Sequence, residues 1–93
     1  MKVTLLSRPG CHLCDVALAG LEAHLVARHE RSDPGSARRI AVEVVDIERD
    51  DELLRSYLER IPVILLDGEE VCDLDFDPER LDAAVARRLE AKG

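Results

Sequence analysis

Tryptophan is absent from this chain, and Tyr57 and Phe76 are its only aromatic residues. An interior built on large rings is therefore excluded, and Leu, Val, Ile and Ala must fill it. Positive charge is also scarce: 13 Lys and Arg stand against 20 Asp and Glu, for a net charge of −7. Phosphate binding needs clustered positive charge, so no nucleic-acid partner is expected. An anionic membrane surface is disfavoured for the same reason, and no apolar run approaches the ~20 residues of a membrane span. The opening Met1-Lys2-Val3-Thr4-Leu5-Leu6-Ser7 has too short an apolar stretch for a signal peptide. The cytoplasm is the expected location. The cysteines number 3, an odd count, which argues against a secreted disulfide framework. In a reducing compartment a close cysteine pair is more often catalytic or metal-binding than a structural crosslink.

Such a pair is present. Cys11-His12-Leu13-Cys14 stands where a short apolar run gives way to a long amphipathic stretch. Thiols two residues apart at a helix start can close a disulfide across one turn. Unpaired N–H groups and the peptide dipoles there favour a thiolate, the reactive form of cysteine. With 93 residues the chain fits one domain, residues 1–93. A chain of this size buries only roughly 60–65% of its unfolded surface, so the core is modest.

Periodicity and turn chemistry order the elements. Lys2 to Ser7 reads as a first strand that stops at Arg8-Pro9-Gly10, a turn signal. A helix follows from about His12 to Arg28, with Cys14, Leu18, Leu21 and Leu25 on one buried stripe. Cys11 lies one turn earlier, so an exposed Cys11 and a shielded Cys14 are expected. Glu30 to Arg39 is a loop by composition. Ile40 to Ile47 is a second strand, and its run of Val42, Val44 and Val45 predicts burial on both faces. Asp50-Asp51-Glu52 opens a short helix with Leu54, Tyr57 and Leu58 inward. Ile61 to Leu66 is a third strand, and Asp67-Gly68 a two-residue hairpin turn. Glu69 to Cys72 or Asp73 is the fourth, antiparallel to the third. Asp77-Pro78 caps and starts a last helix with a Leu81, Val85 and Leu89 stripe. The class is α/β, in the order β-α-β-α-β-β-α.

Cys11 is the candidate nucleophile, with Arg8 nearby to add positive charge, although Asp15 opposes it. Cys14 is the candidate resolving thiol and also a small buried hydrophobe. His12 either polarises the pair or is a solvated helix-start residue. His24 and His29 read as surface or helix-end residues. With Leu66 facing Glu69, a regular hairpin puts Cys72 opposite Val63 and so near Pro62 and the dithiol. There Cys72 offers a third thiol for an alternative disulfide or a metal site, or is a packed strand cysteine. Zinc or iron–sulfur binding by Cys11, Cys14 and Cys72, with His12 or a partner's residue as fourth ligand, is a competing reading, but a second cysteine pair or a clean fourth ligand within the chain is lacking, and no metal is expected. A fold kept for protein interaction without redox catalysis is a third.

Four segments carry a resemblance: Leu5 through Asp15 with the cysteine pair, Val44-Val45-Asp46-Ile47, Arg60-Ile61-Pro62-Val63, and Leu66-Asp67-Gly68-Glu69-Glu70. They resemble the thioredoxin-like superfamily, and within it small bacterial glutaredoxin-like proteins. The resemblance implies a thioredoxin-like fold, a four-stranded mixed sheet flanked by three helices. It implies a thiol–disulfide oxidoreductase that reduces protein or small-molecule disulfides and draws on an external reductant. It also implies a cis Pro62 that exposes the Ile61 backbone to substrate beside Cys11. Glutaredoxins that use glutathione usually carry Thr-Val-Pro where Arg60-Ile61-Pro62 stands, and Gly-Gly where Cys72-Asp73 stands. Asp75 sits near the spacing of their tripeptide-holding Asp, so Arg8, His12, Ile61, Pro62 and Asp75 form the expected substrate site. An acidic Asp73 would crowd and repel a glutathione carboxylate. No tightly bound cofactor is expected, and these departures disfavour glutathione.

Overall fold

The computed structural model describes residues 1–31 and 40–91. The part of the loop at 32–39 and the side chains of residues 29–31, His29 among them, lie outside the described residues. The elements run β1 (Lys2–Ser7), α1 (His12–Arg31), β2 (Ala41–Asp46), a 3₁₀ turn (Ile47–Arg49), α2 (Asp51–Tyr57), β3 (Val63–Leu66), β4 (Glu69–Asp73) and α3 (Pro78–Ala91). The four strands form one mixed sheet in the order β2-β1-β3-β4. β1 pairs parallel to β2, and β3 runs antiparallel to both β1 and β4. A parallel pair needs a crossover, which α1 supplies. This is the thioredoxin-like architecture of four strands and three helices expected from the sequence.

Alternation along the strands sends side chains to opposite faces and divides the core in two. On one side Val3, Leu5, Ile64, Leu66 and Cys72 pack with Ala17 and Leu21 of α1 and with Leu81, Ala84 and Val85 of α3. On the other, Leu6, Ile47, Ile61 and Val63 pack with Cys14, backed by Leu53, Leu54 and Tyr57. Local chemistry fixes the ends. The Asp77 carboxylate accepts the Glu79 and Arg80 N–H groups at 3.0 and 3.3 Å, with Pro78 at the first helical position. Asp67 and Gly68 both take positive φ, 49° and 87°, the signature of a type I′ hairpin turn.

The structure corrects several sequence readings. β2 is not buried on both faces: Val42 and Val44 are exposed. It is an edge strand, and only Val45 near its end reaches the core. Leu58 and Leu89 are also exposed, and Leu53 and Ala84 take the inward positions instead. β3 begins at Val63, after Ile61-Pro62, and α1 continues three residues past Arg28. His24 is no surface residue. Its ring is largely buried and bonds Asp82 at 2.8 Å, which joins α1 to α3. Most consequential is the register of β4. A bulge between Ile64 and Leu65 sets Cys72 opposite Ile64 and Asp73 opposite Val63. One extra residue flips every side chain beyond it. Cys72 therefore packs in the cluster under α3, away from the one that holds Cys14.

Candidate functional site

The site is assembled where β1 ends and α1 begins. Gly10, at φ +78°, turns the chain there in a region open to glycine. The Cys11 N–H donates to the Arg8 carbonyl at 3.3 Å, and the Asp15 N–H donates to the Cys11 carbonyl at 3.2 Å. The Cys14 N–H donates to the Cys11 sulfur at 3.2 Å. The sulfur thus occupies the place of a helix-capping side chain. Cys11 is half-buried and Cys14 is 2% exposed. The Cys14 thiol is pushed up to about 12, first by burial, then by its hydrogen bond with Cys11 and the Cys11 charge, with backbone near Arg8 working the other way.

Opposite the pair stands the segment that leads into β3. The Ile61–Pro62 peptide is cis. Ile61 belongs to the same packed cluster as Cys14, with Cys11 against its edge. Arg60 fastens this segment to β4. Its Nε donates to Asp73 Oδ2 at 3.1 Å, its Nη2 pairs with Glu70, and its guanidinium lies 5.4 Å over the Tyr57 ring. The Arg60 carbonyl accepts the N–H of Leu74, whose φ is +64°. This conformation is uncommon for a branched residue and is seen where surroundings enforce it.

The expected site residues fare unequally. Cys11, Cys14 and Ile61 come together in one packed cluster, and Pro62 follows Ile61 through a cis bond. Arg8 is at the turn, but its guanidinium is engaged by Glu48 at 2.8 Å. His12 is exposed on the first turn of α1. Asp75 is exposed, and its carboxylate accepts the N–H of the next residue, Phe76, at 2.8 Å. Cys72 is buried elsewhere, its thiol pushed up by burial, so a three-thiol cluster is not formed. Among the described residues no group of three His, Cys, Asp or Glu is placed to hold a metal ion. Asp73, read as a repulsive intruder, is instead half of an ion pair. Sequence reasoning missed that pair and its partners Glu70 and Tyr57. The available signal was an arginine directly before the proline.

Comparison with known proteins identifies the family and the fold. The family model described as glutaredoxin-like domain (DUF836) matches residues 2–86. The X-ray structure of target protein XcR50 from X. campestris is 32% identical, with a TM-score of 0.61, covering 91% of this chain and 96% of that one. The solution structure of protein Ne2328 from Nitrosomonas europaea is 27% identical, with a TM-score of 0.68 over 89% of this chain and 88% of that one. Thioredoxin 1 from Thermosipho africanus, 16% identical with a TM-score of 0.59 over 99% and 98% of the two chains, shares the fold. No curated protein matches the sequence.

Proposed function

We propose that this chain, which belongs to the glutaredoxin-like domain family (DUF836), is a dithiol–disulfide oxidoreductase. One observation carries the reading: the half-buried Cys11 sulfur caps α1 and receives the Cys14 N–H, while Cys14 waits buried behind it. A helix start with a donor aimed at sulfur suits an anionic nucleophile. In the first step the Cys11 thiolate attacks a substrate disulfide. A Cys11–substrate disulfide forms and one substrate thiolate leaves. In the second, Cys14 gives up its proton and attacks the Cys11 sulfur. The second substrate thiolate leaves and takes a proton, and the Cys11–Cys14 disulfide remains. Two electrons have passed to the substrate, and an external thiol reductant returns them to the protein.

The order of events follows from what raises the Cys14 thiol. Two of its causes are the Cys11 hydrogen bond and the Cys11 charge. Both disappear when Cys11 enters the mixed disulfide, so Cys14 becomes more acidic at the moment it must attack. Ile61, beside the pair, leaves only its backbone C=O for a strand-like contact with an extended substrate, because its N–H donates to the Tyr57 carbonyl at 3.0 Å. The cytoplasm, a reducing compartment, is the location we propose, and no helix among the described residues is long and apolar enough to cross a membrane. The test is trapping. Cys14→Ser should accumulate a mixed disulfide on Cys11, and Cys11→Ser should accumulate none. A Cys11→Ser protein that reduces disulfides as fast as the wild type sinks the proposal.

A further inference from the structure

Two arginines flank the dithiol, and both are already spent. Arg8 places Nε and Nη2 on the same Glu48 oxygen at 2.8 Å. Arg60 is held between Asp73 and Glu70 and rests on Tyr57. Both sit against the site: the Arg8 carbonyl accepts the Cys11 N–H, and Arg60 directly precedes Ile61, which packs with Cys14. A fourth carboxylate, Asp15, opens α1 and acts on Cys14 through its charge. Two guanidiniums thus face four carboxylates. The exposed side chains beside these groups include Leu13, 61% exposed, and Leu74, 57% exposed, together with the imidazole of His12. Leu13 lies between the cysteines, and Leu74 hydrogen-bonds the Arg60 carbonyl.

From this we infer that the dithiol selects disulfides flanked by positive or uncharged groups over those flanked by carboxylates. Its substrate class is a polypeptide cystine with lysine or arginine nearby rather than an anionic thiol peptide. The inference rests on the dithiol reading above. A carboxylate approaching Cys11 finds both guanidiniums already paired and meets the excess charge of the four carboxylates, which the partial positive charge at the start of α1 offsets only in part. A cation finds the same excess of carboxylates attractive.

Three small disulfides serve as probes: cystamine, a dication; bis(2-hydroxyethyl) disulfide, neutral; and 3,3′-dithiodipropionate, a dianion. Pre-reduced protein is mixed with each in single turnover at pH 8, where an ordinary imidazole is neutral. Thiols are quenched by alkylation and counted by mass. Each rate is divided by that of the same disulfide with 2-mercaptoethanol, which removes leaving-group differences. The normalised dication-to-dianion ratio should be about 3–10 at low ionic strength. It should fall towards 1 at 1 M salt, where the screening length is only ~3 Å. Two variants move it in opposite directions. Glu70→Gln with Asp73→Asn frees Arg60 and shifts the ratio towards the dianion, whereas Arg60→Gln raises it. Opposite shifts from one cluster do not arise from general damage to the fold. A ratio near 1 at low salt, a salt-independent ratio, or variants that leave it in place overturns the selectivity. None of these results touches the dithiol reading, which fails only if Cys11→Ser reacts like the wild type.

Discussion

Cys14 should make the reduced protein lose stability in alkali. Its thiol is pushed from an ordinary 9.0 to about 12, with burial as the leading cause. At 1.36 kcal/mol per pH unit, the folded state favours the protonated form by about 4 kcal/mol. The sign follows from proton counting. Between about pH 9 and 12 the unfolded chain has released this proton and the folded chain still holds it. Stability therefore falls with pH by about 1.4 kcal/mol per unit through that window. The contribution is whole below the unfolded value and gone above the folded one. By pH 11 the loss is about 2.7 kcal/mol, a large share of the 5–15 kcal/mol that stabilises a typical domain. Urea unfolding of reduced wild type and Cys14→Ala, at pH 8 to 11, measures it. Titrating groups outside the cysteine pair are common to both proteins, the packing cost of the missing sulfur is a constant offset, and Cys11→Ala with and without Cys14→Ala separates the contribution of the Cys11 charge. The wild-type curve should drop relative to the variant as pH rises. Parallel curves would show that burial does not hold this proton, and the delayed acidification of Cys14 proposed above would lose its basis.

Three further outcomes are expected. Leu21→Ala empties a fully buried position beneath α1 and α3 and should cost about 2–5 kcal/mol in a urea titration, according to how far the site collapses. Asp82→Asn should weaken the protein at neutral pH and flatten its acid response. Burial alone would raise the Asp82 carboxyl, but hydrogen bonds and charge from His24 and Arg28 outweigh it and lower the carboxyl below 3.8. That stability is present above the unfolded value and is lost as pH falls below it, so the wild type should lose more than the variant between about pH 5 and 2 in thermal melts. Cys72→Ala should leave mixed-disulfide trapping on Cys11 unchanged, because Cys72 packs in the cluster under α3. A trapping yield that falls with correctly folded protein would place that thiol in the redox cycle after all.

Much of the site was legible in the chain because its determinants are local. Gly10, the cysteine spacing and the acid-capped helix starts are set by backbone conformation and hydrogen bonds within a few residues. The hairpin at Asp67-Gly68 is equally local. Readings failed where a residue's surroundings come from distant segments. The valines of β2 look like those of a central strand, and only the order of strands leaves them at an edge. The Arg60 clamp joins residues that a count along the chain does not pair, since the bulge in β4 decides which side chains stand beside it.

By itself the sequence determined the order of elements, the placing of the dithiol at a helix start, and the acidic, ring-poor composition. These follow from periodicity, turn residues and charge, which need no long-range contact. Only the tertiary structure decided which cysteine joins which face of the sheet and that both arginines beside the dithiol are held in ion pairs. A single extra residue in β4 reverses the side chains beyond it, and an ion pair exists only once the sheet has brought its partners within reach.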